Sequence, residues 1–174
     1  MEFKEIQKFN QKWLWILVIV SSLIPLSTLG YRLYKQVILG ETYGGKPMTN
    51  SDLIIGFVIV CVVFFLVIVL FSAVKLTVCI DRFGIEYRFF PFQLNFKKIA
   101  WDEIENYEVI KYRPLTDYGG YGVRYGFKGK AYNVRGNMGL QLTLKTGKKI
   151  LLGTQKPTEL NDYLKKLKMT HDSF

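Results

Sequence analysis

The sequence predicts an α+β membrane protein: a two-helix transmembrane hairpin followed by an antiparallel β domain that ends in an amphipathic helix. Three observations carry this. Residues 53–74 read LIIGFVIVCVVFFLVIVLFSAV, 22 residues without a charge in a chain of 174. Residues 13–31 form a second uncharged run, WLWILVIVSSLIPLSTLGY. From Lys75 onward the apolar period falls to two, and after Pro157 it returns to helical spacing.

The elements follow in chain order. Residues 1–12 are expected to form a cytoplasmic N-terminal stub. Residues 13–31 form the first span, bounded by Lys12 and Arg32. About 20 apolar residues at 1.5 Å rise suffice for a helix to cross a bilayer, and a helix pairs its own backbone there. Trp13 and Trp15 at one end and Tyr31 and Tyr34 at the other suit the membrane interface. Pro25 removes one helical donor and is expected to kink the span. The run is long for the apolar part of a signal peptide, and no A-x-A site follows it. Residues 32–52, with Gly40, Gly44, Gly45 and Pro47, read as a connector. Asn50, Ser51 or Asp52 is expected to cap the second span, residues 53–74. Lys4, Lys8 and Lys12 before the spans and Lys75, Arg82 and Arg88 after them outnumber Arg32, Lys35 and Lys46 between them, which puts both termini inside.

Residues 75–169 read as the β domain with its C-terminal helix. LTVCI (76–80) and IEYRF (85–89) alternate on either side of a DRFG turn. Residues 93–100 and 105–113 are further candidate strands, and residues 131–134 a short one. GLQLTLK (139–145) and KKILLGT (148–154) flank a Thr146-Gly147 turn. After Pro157, Leu160, Tyr163, Leu164 and Leu167 line one helical face. Such a helix covers the open end of a bent sheet. Residues 170–174 are expected to fray.

Charge is uneven. Residues 75–174 hold 18 of the 24 Lys and Arg and 10 of the 14 Asp and Glu, a net +8. A basic domain beside a bilayer fits both the cytoplasmic charge rule and attraction to anionic head groups. The two cysteines, Cys61 and Cys79, do not make a disulfide framework.

The strand count, the terminal helix and the stretch GTQKPTEL resemble bacterial pleckstrin-homology-like (PH-like) domains. Two spans followed by YGVRYGFKGKAYNVRGNMGLQL resemble a group of small bacterial membrane proteins that carry such a domain and are uncharacterised in function. The resemblance covers roughly residues 75–168 and the hairpin. It implies a seven-stranded, partly open antiparallel barrel closed by a C-terminal helix. Phosphoinositide-binding PH domains carry a basic signature between their first two strands. Lys75, Arg82 and Arg88, interspersed with Asp81 and Glu86, do not match that spacing, so no lipid specificity is carried over.

Residues 119–139 hold seven glycines. Their flanks are strand-like, so Gly120-x-Gly122-x-x-x-Gly126 lacks the strand-to-helix setting of a nucleotide loop. Two readings remain. The glycines permit bulges and close backbone approach. Alternatively, the interleaved Tyr121, Arg124, Tyr125, Lys128, Lys130, Tyr132 and Arg135, with Phe127, form a lipid or partner surface. The anchored setting argues against nucleic acid. Asp102, Glu103, Glu105 and Glu108 lack a histidine partner and read as a solvated edge. His171 is the lone histidine, so no zinc spacing and no internal nucleophile–histidine pair exists. Neither span carries an ionisable residue to mark a transport path.

The expected function is therefore non-catalytic, with no cofactor and no metal. The chain presents a basic PH-like domain at the cytoplasmic membrane surface to recruit or scaffold an unidentified protein partner. Direct binding of anionic lipid head groups is the alternative, and an oligomeric channel or transporter component a third reading. Only Lys75 separates Val74 from the first strand at Leu76, so the domain is expected to be held tightly at the head groups.

Overall fold

The computed structural model describes residues 2–41 and 48–171. The connector positions Gly44, Gly45, Lys46 and Pro47, and tail residues 172–174, lie outside the described residues. The chain divides into two units: a helical one, residues 10–72, and a β unit assembled from residues 1–9 and 73–174.

In the helical unit, α1 (Lys12–Leu33) runs on through a wider π-helical turn at Tyr34–Ile38, and α2 spans Asn50–Ala73. Both are long and apolar enough to cross a membrane by length and composition. Only 6% of the most apolar window of each is buried, unlike the core helix of a soluble domain. Their hydroxyls are paired internally: Ser21, Ser22, Ser27 and Thr28 donate to the carbonyls of Val18, Ile19, Ile24 and Pro25, and Ser72 to that of Ile68. The helix continues through Pro25. Thr49 rather than Asn50, Ser51 or Asp52 does the capping: its Oγ1 accepts from the Asp52 N–H at 3.2 Å and donates back to Asp52 Oδ2 at 2.7 Å.

The β unit has nine strands among the described residues. They are β1 (Phe3–Lys8), β2 (Lys75–Ile80), β3 (Gly84–Phe90), β4 (Lys97–Ala100), β5 (Ile104–Lys111), β6 (Gly122–Gly126), β7 (Gly129–Asn133), β8 (Met138–Leu144) and β9 (Lys149–Thr154). A short helix α3 (Pro114–Tyr118) follows β5, and α4 (Pro157–His171) follows β9 and takes in the first two residues of the expected tail. One sheet has the order β1-β2-β3-β4 and the other β5-β8-β9-β7-β6. The fold is α+β, and the sheets do not close into one barrel.

Four features differ from the sequence expectation. The segment expected as a stub contains β1, which pairs antiparallel with β2 from Phe3 opposite Ile80 to Lys8 opposite Lys75. Of residues 93–100, only Lys97–Ala100 form a strand. The glycine-rich segment builds a full hairpin, β6–β7. And the sheet is not wholly antiparallel, because β7 pairs with β9 in parallel, Lys130 opposite Ile150 and Tyr132 opposite Leu152.

β1 escaped the periodicity because its inward face is mostly polar. Phe3, Glu5 and Gln7 are buried while Ile6 is 54% exposed. Glu5 accepts from Thr154 Oγ1 at 2.6 Å and from the Gln155 N–H at 2.8 Å. Gln7 Nε2 donates to the Gly153 carbonyl at 2.6 Å. A buried polar side chain is tolerated only when hydrogen-bonded, and the end of β9 supplies the partners.

Both sheets and α4 share one core. Leu76, Ile80, Ile85 and Phe89 from the first sheet meet Tyr132, Leu140, Leu142 and Leu152 from the second, with Leu160 and Leu164 of α4. The Tyr132 ring packs 4.8 Å from Tyr87 and 6.4 Å from Phe89. A smaller cluster of Tyr112, Tyr118, Ala131 and Leu151 includes α3 through Tyr118.

Candidate functional site

Where β5 ends, Arg113 is extended and Pro114 opens α3 at the position where a missing N–H costs nothing. Asp117 reaches back and accepts from the Arg113 N–H at 2.9 Å. Gly119, at φ 74°, ends the helix, with its N–H on the Leu115 carbonyl. The β6–β7 hairpin lies close to this segment. A Cβ on Gly126 would stand 2.2 Å from the Asp117 carbonyl oxygen, so only glycine fits there. A Cβ on Gly129, at φ 106°, would likewise stand 2.3 Å from the Lys149 carbonyl oxygen.

This packing leaves an open cleft of about 780 Å³ whose lining includes Lys111, Tyr112, Arg113, Asp117, Tyr121 and Lys128. Lys128 Nζ pairs with Asp117 Oδ1 at 3.2 Å. The Arg113 N–H on Asp117, helped by Lys128, holds its carboxyl below the usual range. Among the described residues neither Lys111 nor Arg113 forms a salt bridge, so the cleft keeps an excess of positive charge. Tyr112 is buried at its side, edge-on to Tyr118 at 5.9 Å. Burial pushes the Tyr112 phenol up to about 12. A second hollow of about 390 Å³, lined by Arg135, Met138, Thr154 and Gln155, shares Asn137 with the cleft.

The seven expected surface residues do not form one patch. Tyr121 and Lys128 line the cleft, and Arg135 lines the hollow next to it. Arg124 is exposed, and its Nε donates to the Tyr121 carbonyl at 2.9 Å. Tyr125 lies directly opposite Lys130 in the hairpin, whereas Arg124 lies opposite Ala131. With side chains alternating along a strand, Arg124 and the Tyr125–Lys130 pair fall on opposite faces. Lys130 Nζ sits 4.6 Å from the Tyr125 ring centre and 5.0 Å from that of Tyr132. Tyr132 itself is no surface residue: at 1% exposure it is part of the core.

The sequence reading missed Lys111, Arg113 and Asp117, having taken residues 105–113 as strand alone. Pro114 with an aspartate three residues on is the signal that a helix starts there. Of the acidic group, Glu103 caps a 3₁₀ turn by accepting from the Ala100 N–H at 3.1 Å. Among the described residues no three His, Cys, Asp or Glu side chains converge as metal ligands would.

A family model matches residues 1–169, from before β1 to near the end of α4. The chain belongs to DUF6141, a family of unknown function. The match takes in β1, both long helices and the β unit together, so the helices and the β unit belong to one family unit. No curated protein and no solved structure matches the chain.

Proposed function

We propose that this DUF6141 member is an integral membrane protein that crosses the bilayer twice, keeps both termini on the cytoplasmic side, and presents a basic PH-like domain there to recruit a protein partner without catalysing a reaction. The pairing of β1 with β2 carries this reading. The strands before and after the two long helices lie side by side, Lys8 opposite Lys75. A chain that leaves a sheet and returns to the same sheet crosses a bilayer an even number of times, and α1 and α2 supply two crossings. Cleavage after α1 would strip β1 from the folded domain, which argues against a signal peptide. The apolar surface of α1 and α2 is the kind lipid covers.

The connections are short. Phe9, Asn10 and Gln11 lead from β1 to α1, and Val74 alone leads from α2 to β2. At about 3.3–3.6 Å per residue, such links tether the domain at the membrane surface. Two sheets on one core with a C-terminal helix support the PH-like reading. The cleft suits an acidic segment of a partner, since Lys111 and Arg113 offer cations and Tyr121 a ring. Its buried phenol and its aspartate are both shifted away from neutral pH, which disfavours acid–base catalysis.

Crosslinking pull-down from membranes tests this. The full chain is expected to capture a partner that the doubly substituted Lys111→Glu, Arg113→Glu chain loses while staying in the membrane fraction. An unchanged partner set sinks the recruitment reading. Anionic head groups are the second reading, favoured by Lys130 beside the exposed Tyr125 and Phe127. Flotation with liposomes of rising phosphatidylglycerol content tests it, using a chain in which Asn-Gly replaces residues 9–74; binding indifferent to that content removes it.

A further inference from the structure

The segment between β3 and β4, residues 91–96, exposes three large apolar side chains in six residues: Phe92 at 69%, Leu94 at 69% and Phe96 at 43%. Exposed clusters of this kind on a folded unit mark contact surfaces. The segment is held in a defined shape. The Gln93 N–H donates to the Phe89 carbonyl at 2.8 Å, and its side-chain amide to the carbonyls of Tyr87 and Asn95 at 3.1 and 3.2 Å. The Arg88 guanidinium stacks 4.3 Å from the Phe96 ring centre and also reaches the Leu94 carbonyl.

Register fixes which end of the sheet this is. Lys75 pairs with Lys8 on one side and with Phe90 on the other. Lys8 is the last residue of β1 before the chain departs for α1, and Lys75 the first of β2 after it returns from α2. Residues 91–96 therefore extend from the same end of the sheet through which the chain enters and leaves the helices. Lys8 and Lys75 supply cations at that end, Arg88 lies two residues further along β3, and Lys75 Nζ stands 5.7 Å from the Phe90 ring centre. Residues 91–96 carry no carboxylate.

We propose that residues 91–96 are a third membrane contact, an interfacial loop that inserts Phe92, Leu94 and Phe96 among the acyl chains of an anionic bilayer while Arg88 and the lysines meet its head groups. Apolar and aromatic side chains rimmed by cations are what a monotopic element presents to a membrane interface. A loop gripping the bilayer beside two short tethers fixes the rotation of the domain as well as its distance. The proposal rests on α1 and α2 spanning the membrane.

Depth-resolved fluorescence quenching in proteoliposomes of phosphatidylcholine and phosphatidylglycerol tests it on the full chain. An environment-sensitive label is placed at Leu94→Cys or Phe83→Cys in a Cys61→Ala, Cys79→Ser background, or on native Cys61 with only Cys79 replaced. Phe83 is 59% exposed in the turn at the other end of the same strands, about 20 Å away at 3.3 Å per residue. The label at 94 is expected to be quenched by nitroxide-bearing lipid several-fold more than that at 83, and that at 83 by aqueous iodide. Iodide quenching at 94 equal to that at 83 overturns the proposal. So does shielding at 94 from both quenchers, which means that protein covers the loop. Lipid quenching at Cys61 in either case keeps the two-span reading intact. A Cys61 label that escapes lipid quenching overturns both.

Discussion

The helical unit and the β unit sort their side chains in opposite senses. In α1 and α2, residues such as Leu17, Ile24, Val62 and Phe65 are exposed, and the hydroxyls turn back onto the backbone. In the β unit, Leu76, Phe89, Leu142 and Leu152 are buried, and most charges face out. Each arrangement is sensible in only one solvent. Water drives apolar groups inward, whereas lipid tolerates them outside and penalises unpaired polar groups. On the proposed reading each unit meets its own medium, and links of three residues and one join them.

The comparison breaks most sharply in the β core. Phe89→Ala is expected to cost about 3–5 kcal/mol of domain stability, measured by thermal or denaturant unfolding. Losses far below that mean the two sheets do not share a packed interior. Next comes Val62→Arg, at the exposed middle of α2. Here the expected cost, about 2.5–3.5 kcal/mol, falls on membrane integration, read as loss from the carbonate-resistant membrane fraction. Integration indifferent to the arginine means that water, not lipid, surrounds α2.

Glu5→Ala is the exception that sharpens the rule, since Glu5 is a charged group on the buried side. Its loss leaves Thr154 Oγ1 and the Gln155 N–H without their acceptor, at about 1–3 kcal/mol of stability. An unchanged unfolding midpoint means that β1 is not docked as described. The smallest effect is at alkaline pH. Burial raises the Tyr112 phenol from its ordinary 10 to about 12, so the unfolded chain gives up that proton first. Its contribution is intact below about pH 10 and is lost as pH rises through about 12. Tyr112→Phe is expected to make that decline in stability shallower, and an unaltered pH profile contradicts it.

Legibility in the sequence followed the same division. The uncharged runs announced α1 and α2 because a long apolar helix is legible from composition alone. β2, β3, β8 and β9 were legible as short apolar, β-branched runs between turn signals, although only β3 alternates cleanly and β9 buries four residues in a row. β1 was not, since Glu5 and Gln7 find partners about 150 residues away at the end of β9. Local pattern carries no trace of such a pairing. The parallel β7–β9 contact was hidden for a similar reason, since β8 lies between them in the chain. Of the basic and aromatic residues in 121–135, Tyr121, Lys128 and Arg135 lie beside the cleft and its hollow. Tyr132 was misread because its side of the strand packs against the other sheet, on Tyr87 and Phe89. Lys111 and Arg113 were passed over because only α3 brings them to the cleft.

The central claim is that one domain is built from chain on both sides of the two long helices. Lys4 stands directly opposite native Cys79 in the β1–β2 register. Directly paired strand residues lie on one face within disulfide range. In membranes holding the full chain with Cys61→Ala, Lys4→Cys is expected to link to Cys79 under mild oxidation, giving a reductant-sensitive shift in gel mobility. Ile6→Cys, which stands opposite Thr77, is expected to stay unlinked. A Lys4→Cys chain that remains reduced, or an Ile6→Cys chain that links equally well, contradicts the claim.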